Sequence, residues 1–153
     1  MNPKVIVLLA GTNNIGRSLP DDAKIADIAS GLQPVVKTMR AKAPNAAILV
    51  TAIFPRNDNP AVMPAIAKIN RTLAQFADSR GVRYLNINDK LARPDGVLLA
   101  GMMDPDKLHP ALPAYQIWAD ALRPIFTEIL GPPAAADHAP PATGDPKTAS
   151  KNQ

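Results

Sequence analysis

Two short segments carry residue types whose spacing can do chemistry. Asp106-Lys107-Leu108-His109-Pro110 places a carboxylate three residues before an imidazole. In a bent loop the carboxylate can accept a hydrogen bond from one ring nitrogen. That fixes the tautomer and leaves the other nitrogen free as a general base. The same spacing also suits a helix-capping Asp beside a surface histidine. The second segment is Gly11-Thr12-Asn13-Asn14. An asparagine amide can donate to a developing oxyanion, and Gly11 lets the backbone turn sharply. Asn13 reads equally well as a turn residue, since asparagine tolerates left-handed conformations.

Other kinds of site are poorly supplied. The chain has no cysteine, which removes disulfides, thiolate nucleophiles and cysteine-ligated metals. His109 and His138 are its two histidines, and Asp104, Asp106 and His109 make at most a weak metal cluster, so no metal site is expected. Gly11 to Gly16 is neither a dinucleotide fingerprint nor a P-loop, because no Gly-Lys-Ser/Thr follows. The net charge of +4 comes from Lys and Arg spread along the chain, and aromatics are 4%. Nucleic-acid surfaces concentrate both, so nucleic acid is not an expected partner. No apolar run nears the roughly 18–20 residues of a membrane helix. Met1-Asn2-Pro3-Lys4 shows no secretory-signal core, and localisation stays open.

The elements that must position these segments alternate. Val5 to Leu9 reads as a strand buried on both faces. Gly11 to Pro20 reads as a loop, and Asp21 or Asp22 as the cap of a helix carrying Ile25, Ile28, Leu32, Val35 or Val36, and Met39. Pro34 should kink that helix. Ala47 to Ile53 is a second buried strand. Ile66, Ile69, Leu73 and Phe76 mark a second amphipathic helix, and Val82 to Ile87 a third strand. A short helix is expected at Gly96 to Met103. Tyr115, Trp118, Leu122, Phe126 and Ile129 mark a last helix, stopped by Gly131-Pro132-Pro133. The order β-α-β-α-β-α predicts a parallel sheet with right-handed crossovers, whose ligands sit at the C-terminal strand ends. Both candidate segments fall there. Residues 132–153 are rich in Ala and Pro and are expected to be a disordered tail beside a domain at 1–131.

Taken in order, these blocks resemble the SGNH (GDSL-type) hydrolases. In that family a buried strand ends in a Gly-x-Asn-Asp block, here Gly11-Thr12-Asn13-Asn14. An Asp-x-x-His block precedes the last helix, here Asp106-Lys107-Leu108-His109. Ile53-Phe54-Pro55-Arg56, Ile69-Asn70 and Ala114-Tyr115-Gln116-Ile117-Trp118 are also characteristic. The Gly-Thr-Asn-Asn form is similar to the acetylhydrolase-like branch, in which Asn14 stands where Asp is usual.

The resemblance implies a three-layer α/β/α, flavodoxin-like hydrolase fold and a serine esterase acting on a small-molecule ester without any cofactor. It implies His109 as base, Asp106 as its orienting acid and Asn13 as oxyanion donor, beside a site loop of Gly11, Thr12 and Asn14. The family's Gly-Asp-Ser nucleophile block is absent. Ser18, Ser30, Ser79 and Ser150 are the serines; Ser18 lies nearest the site loop, and Gly144-Asp145-Pro146 is no substitute. The expectation is therefore that an N-terminal strand and helix carrying the nucleophile lie upstream of these residues. A non-catalytic fragment acting as a binding partner is the alternative, and a flavodoxin-like small-ligand binder a weaker one. Self-association is left open.

Overall fold

A computed structural model describes residues 2–16, 18–78 and 81–136. Strands β1 (Val5–Leu8), β2 (Ala47–Thr51) and β3 (Val82–Leu85) form a parallel sheet in the order β1-β2-β3. Ile6 lies opposite Ile48 and Val7 opposite Leu49, while Val50 lies opposite Tyr84. Helix α1 (Thr12–Ile15) follows β1, α2 (Asp22–Lys42) joins β1 to β2, α3 (Met63–Ala74) joins β2 to β3, and α4 (Leu112–Leu130) closes the described chain.

The two crossover helices lie on one face because right-handed connections between successive parallel strands put them there. Asp21 caps α2 by accepting from the Lys24 amide at 2.7 Å. Ile25, Ile28, Leu32 and Val36 of α2 then meet Ile66, Ile69 and Leu73 of α3 over Ile48, Val50 and Val82 of the sheet. Burying each such side chain contributes roughly 1.5–3 kcal/mol. Pro34 sits exposed within a continuous α2, so the hydrogen bond it removes falls on the water side, next to the exposed Ser30.

The opposite face has a second cluster of Phe54, Ile87, Leu91 and Ala114, joined by Leu85, Ile117 and Trp118. Phe54 and Trp118 meet edge to face with ring centres 5.4 Å apart. The side chains of Arg83 on β3 and Glu128 on α4 pair across this face. The chain is thus α/β, with helices on both sides of a parallel sheet.

Several expectations need correction. β1 is not buried on both faces: Val7 is 36% and Leu9 37% exposed. β1 is an edge whose sheet partner is β2, and α4 leans toward β3 instead. The second strand ends at Thr51 rather than Ile53 and the third at Leu85 rather than Ile87, and the stretch from Gly11 read as a loop opens with the helical turn α1. Gly96 to Met103 is not a helix but a run of turns flanked by the bridges Ala92–Leu98 and Met103–Pro110. Gly96 and Gly101 take φ of +82° and +75°, which a helix cannot accommodate. The expected tail, with His138 and Gly144-Asp145-Pro146, lies outside the described residues from 137 onward, as do Ser79 and Ser150.

Candidate active site

The Gly11 block begins where β1 ends. Gly11 has φ +114°, and a Cβ placed on it would come within 2.8 Å of Ile53 Cδ1. A side chain there would be strained by the backbone conformation and would have to displace the tip of the buried Ile53. The chain then makes a single helical turn, with the Asn14 amide donating to the Gly11 carbonyl at 3.1 Å. Ile15, 4% exposed, pins that turn into the core. Asn13 and Asn14 are left exposed.

The second block is a tight turn organised by one carboxylate. Asp106 Oδ1 accepts from the Leu108 amide at 2.9 Å and the His109 amide at 3.0 Å. Its Oδ2 lies 2.5 Å from His109 Nδ1. Lys107 takes a left-handed φ of +59° so that the chain can wrap around the carboxylate. The Asp104 amide donates to the His109 carbonyl at 2.8 Å and closes the turn. The His109 side-chain hydrogen bond, followed by those of the two amides, lowers the Asp106 carboxyl to about 2. An ionised carboxylate carries no proton, so Nδ1 is the donor, and in the neutral ring the free lone pair is then on Nε2.

The two blocks meet. Gly11, Thr12, Asn13 and Asn14 line one side of a cavity of about 460 Å³, and Leu108, His109 and Pro110 line the other. Leu9, Ala10, Ile53 and Phe54 supply an apolar floor. Asp106 is not in the wall and holds the far side of the imidazole. Among the described residues no serine lines this cavity. Ser18 is exposed beyond the site loop, and Ser30 Oγ is tied to the Asp27 carbonyl on α2. Among the described residues no group of three or more His, Cys, Asp or Glu is placed to hold a metal ion.

Two supports had no role in the sequence reading, which named Asn70 only within a family block and assigned nothing to Asn88. Asn70, on the buried face of α3, bonds both the amide and the carbonyl of Ile53, at 2.8 and 2.9 Å. Asn88 adds a third bond, to the same carbonyl. They hold the end of β2 under Gly11. The available signal was an amide inside the apolar stripe of α3, a place a polar group occupies only with a partner.

The model of the GDSL-like lipase/acylhydrolase family matches residues 1–117. The chain belongs to this family. It is therefore related to ester hydrolases, as its blocks implied. This GDSL-like chain is 27% identical over 132 residues to the chicken platelet-activating factor acetylhydrolase IB subunit alpha2, covering 85% of the chain and 55% of the relative. It is 35% identical over 98 residues to the Drosophila melanogaster platelet-activating factor acetylhydrolase IB subunit beta homolog, covering 63% and 41%. The chain thus spans about half the length of the curated relatives it matches. A Bacteroides fragilis structure assigned as an acylhydrolase superposes with a TM-score of 0.63 at 18% identity, over 82% of this chain and 62% of that one. One from Streptococcus pneumoniae, assigned as a platelet activating factor, gives 0.64 at 24% identity over 80% and 59%. At these identities the superpositions speak to fold. Among the described residues no helix is long and apolar enough to cross a membrane.

Proposed function

We propose that this chain supplies the base and oxyanion half of a serine ester-hydrolase site. The observation that carries the reading is that Asn13 and His109 wall one cavity, with Nδ1 of the imidazole held by Asp106. Nε2 is then the base. It takes the proton from a serine hydroxyl as the oxygen attacks the ester carbonyl. The Asn13 amide donates to the tetrahedral oxyanion. As the intermediate collapses, the imidazolium returns the proton to the departing alkoxide. Water, deprotonated at Nε2 in turn, then releases the acid from the acyl-enzyme.

Among the described residues none of the cavity wall is a serine, and under this proposal a Gly-Asp-Ser segment outside these 153 residues supplies the nucleophile. The apolar floor of Leu9, Ile53 and Phe54 suits a short acyl chain. The relatives' names concern the acetyl group of platelet-activating factor, and we take acetyl esters of a lipid or carbohydrate as the substrate class. The same lack of a wall serine favours a second reading, a non-catalytic partner that binds esters.

The test is turnover of p-nitrophenyl acetate. Residues 1–153 alone should not exceed their His109→Ala variant. Losing a triad serine costs on the order of a millionfold in the subtilisin case. Supplying a Gly-Asp-Ser segment should restore turnover, and His109→Ala should abolish it. Turnover by the chain alone well above its variant would locate a nucleophile within it, beginning with Ser18. Persistence of the restored activity in His109→Ala would remove the base assignment. Failure of any such segment to restore turnover would leave the binding role.

A further inference from the structure

The loop after β2 touches both halves of the site through two adjacent residues. Arg56 is a buried cation, its side chain 3% exposed. Its Nη1 donates to the Thr12 carbonyl at 3.1 Å, within the site loop. Its Nε donates to Asp58 Oδ1 at 2.6 Å and its Nη2 to Asp58 Oδ2, a bidentate pair. The next residue reaches the other way. The Asn57 amide donates to the Lys107 carbonyl at 3.0 Å, inside the Asp106–His109 turn. The Asn57 side chain is itself fixed, donating to the Gly96 carbonyl and accepting from the Leu98 amide.

We infer that Arg56 and Asn57 set the separation between Asn13 and His109, with Arg56 acting as a positioning residue. The inference rests on the reading of those two residues as oxyanion donor and base.

The single turn of α1 explains why such a brace is needed. In a longer helix the Thr12 carbonyl would accept from the amide four residues on. That amide, on Gly16, donates to the Asn13 carbonyl instead, at 3.3 Å. Thr12 therefore offers a carbonyl at the end of a very short helix, where capping comes from elsewhere. Arg56 takes it, and a charged donor holds it more firmly than a neutral one. Asp58 fixes the guanidinium plane, so Nη1 cannot swing away from Thr12. Lysine has no planar fork with which to serve both partners at once. The brace then continues along one peptide unit to Lys107. The left-handed backbone of Lys107 is what turns the chain around Asp106. A shift of Arg56 would move Asn13 without moving His109, and catalysis is sensitive to displacements of about 1 Å.

The test separates positioning from bulk stability by hydrogen exchange on the full chain. The reporter is the Asn14 amide, bonded to Gly11 within the site loop. The reference is the Ile48 amide, bonded to Gly81 in the sheet. In Arg56→Met combined with Asp58→Asn, which leaves no buried orphan charge, protection of Asn14 relative to Ile48 should fall at least about tenfold. That is the factor for losing one charge-assisted hydrogen bond. Arg56→Lys should recover part of the ratio. If the double variant does not fold, the ratio in Arg56→Lys decides alone and should lie below the parent's. A ratio within about threefold of the parent in every folded variant would overturn the inference and leave Arg56 as a fold-stabilising ion pair.

In the enzyme complemented with a Gly-Asp-Ser segment, Arg56→Lys should lower kcat and spare KM. Equal losses in both, or none, would count against positioning. His109→Ala judges the site reading separately. If turnover survives that change, the site reading fails, whereas the exchange ratio still reports on the brace.

Discussion

Removing the Asn70 side chain should cost far more than removing that of Asn88, although both bond the same residue. Asn70 is 7% exposed and Ile53 is fully buried. Asn70→Ala deletes the acceptor of the Ile53 amide at 2.8 Å and one of two donors to the Ile53 carbonyl. The carbonyl keeps Asn88 at 2.9 Å, but the amide is left in a dry site with nothing to bond. An orphaned buried donor costs about 1–3 kcal/mol, and the gap left by the amide adds about 1 kcal/mol. The sum is about 2–4 kcal/mol, a large share of a total stability of roughly 5–15 kcal/mol. Asn88→Ala leaves both backbone groups of Ile53 bonded to Asn70, so its cost should be about 0.5–1.5 kcal/mol. Urea unfolding followed by circular dichroism reads the difference, provided the slope is unchanged. At a slope of about 1–3 kcal/mol per molar, Asn70→Ala should lower the midpoint by roughly 1–2 M. Equal costs for the two variants, or a loss under about 1 kcal/mol in Asn70→Ala, would refute the claim that Asn70 alone satisfies the Ile53 amide.

Gly11→Ala should destabilise by about 2–4 kcal/mol, combining a positive φ with a methyl pressed on the buried Ile53; an unchanged thermal midpoint would show that the site loop relaxes freely. The Asp106 carboxyl, held at about 2 by His109 and two amides, titrates lower in the folded chain than unfolded. Its contribution is therefore complete above the ordinary aspartate value of 3.8 and is lost as pH falls from there toward about 2. Because the side chain is 48% exposed the effect is small, and it should appear as a shallower fall of the midpoint between those pH values in Asp106→Asn than in the parent. Val7→Lys, on the exposed side of the edge strand β1, should raise the soluble fraction at high concentration, since a charge on an apolar edge blocks strand addition. Light scattering that stays the same would show that this edge is not the route of association.

Much of this arrangement was readable from apolar periodicity. Ile25, Ile28 and Leu32 lie on the buried face that their spacing demands, and of the two valines left open Val36 joins them while Val35 is exposed. The first candidate block follows β1 directly, and the second, in the long connection between β3 and α4, shares a cavity with it, as expected where a parallel sheet sends its strand ends to one side. What escaped was information that periodicity does not carry. An apolar run announces that a strand wants burial on both faces, but not whether a neighbour covers it, and β1 stays half-exposed. Val97, Leu98, Met102 and Met103 resemble a helical stripe, yet the two glycines among them adopt positive φ and fold the segment into turns. Thr12–Ile15 is too short to show any period and is held by Gly11, Ile15 and Arg56. Arg56 reads only as the end of a family block in a polar loop, with no role that its spacing reveals. Only the placement of Asp58 and the Thr12 carbonyl makes its burial affordable.

The exposure of the site bears on how strongly it can act. The His109 side chain is 71% exposed, and Asn13 also faces solvent. Next to water, an amide donating to an oxyanion competes with solvent, and the attraction is screened by a high dielectric. The same donor gains most when the surroundings are dry and its orientation is already fixed. Orientation is largely in place here, through the Asp106 turn, the Asn70–Ile53 bonds and the Arg56 link. Dryness is not. Under the proposed function, the segment that brings the serine also has to cover the cavity, displacing water from Nε2 and from the Asn13 amide. Nucleophile delivery and desolvation then become a single event. A free serine analogue added in solution would supply the hydroxyl but not the cover, and should recover only a small part of the turnover that a packed segment restores.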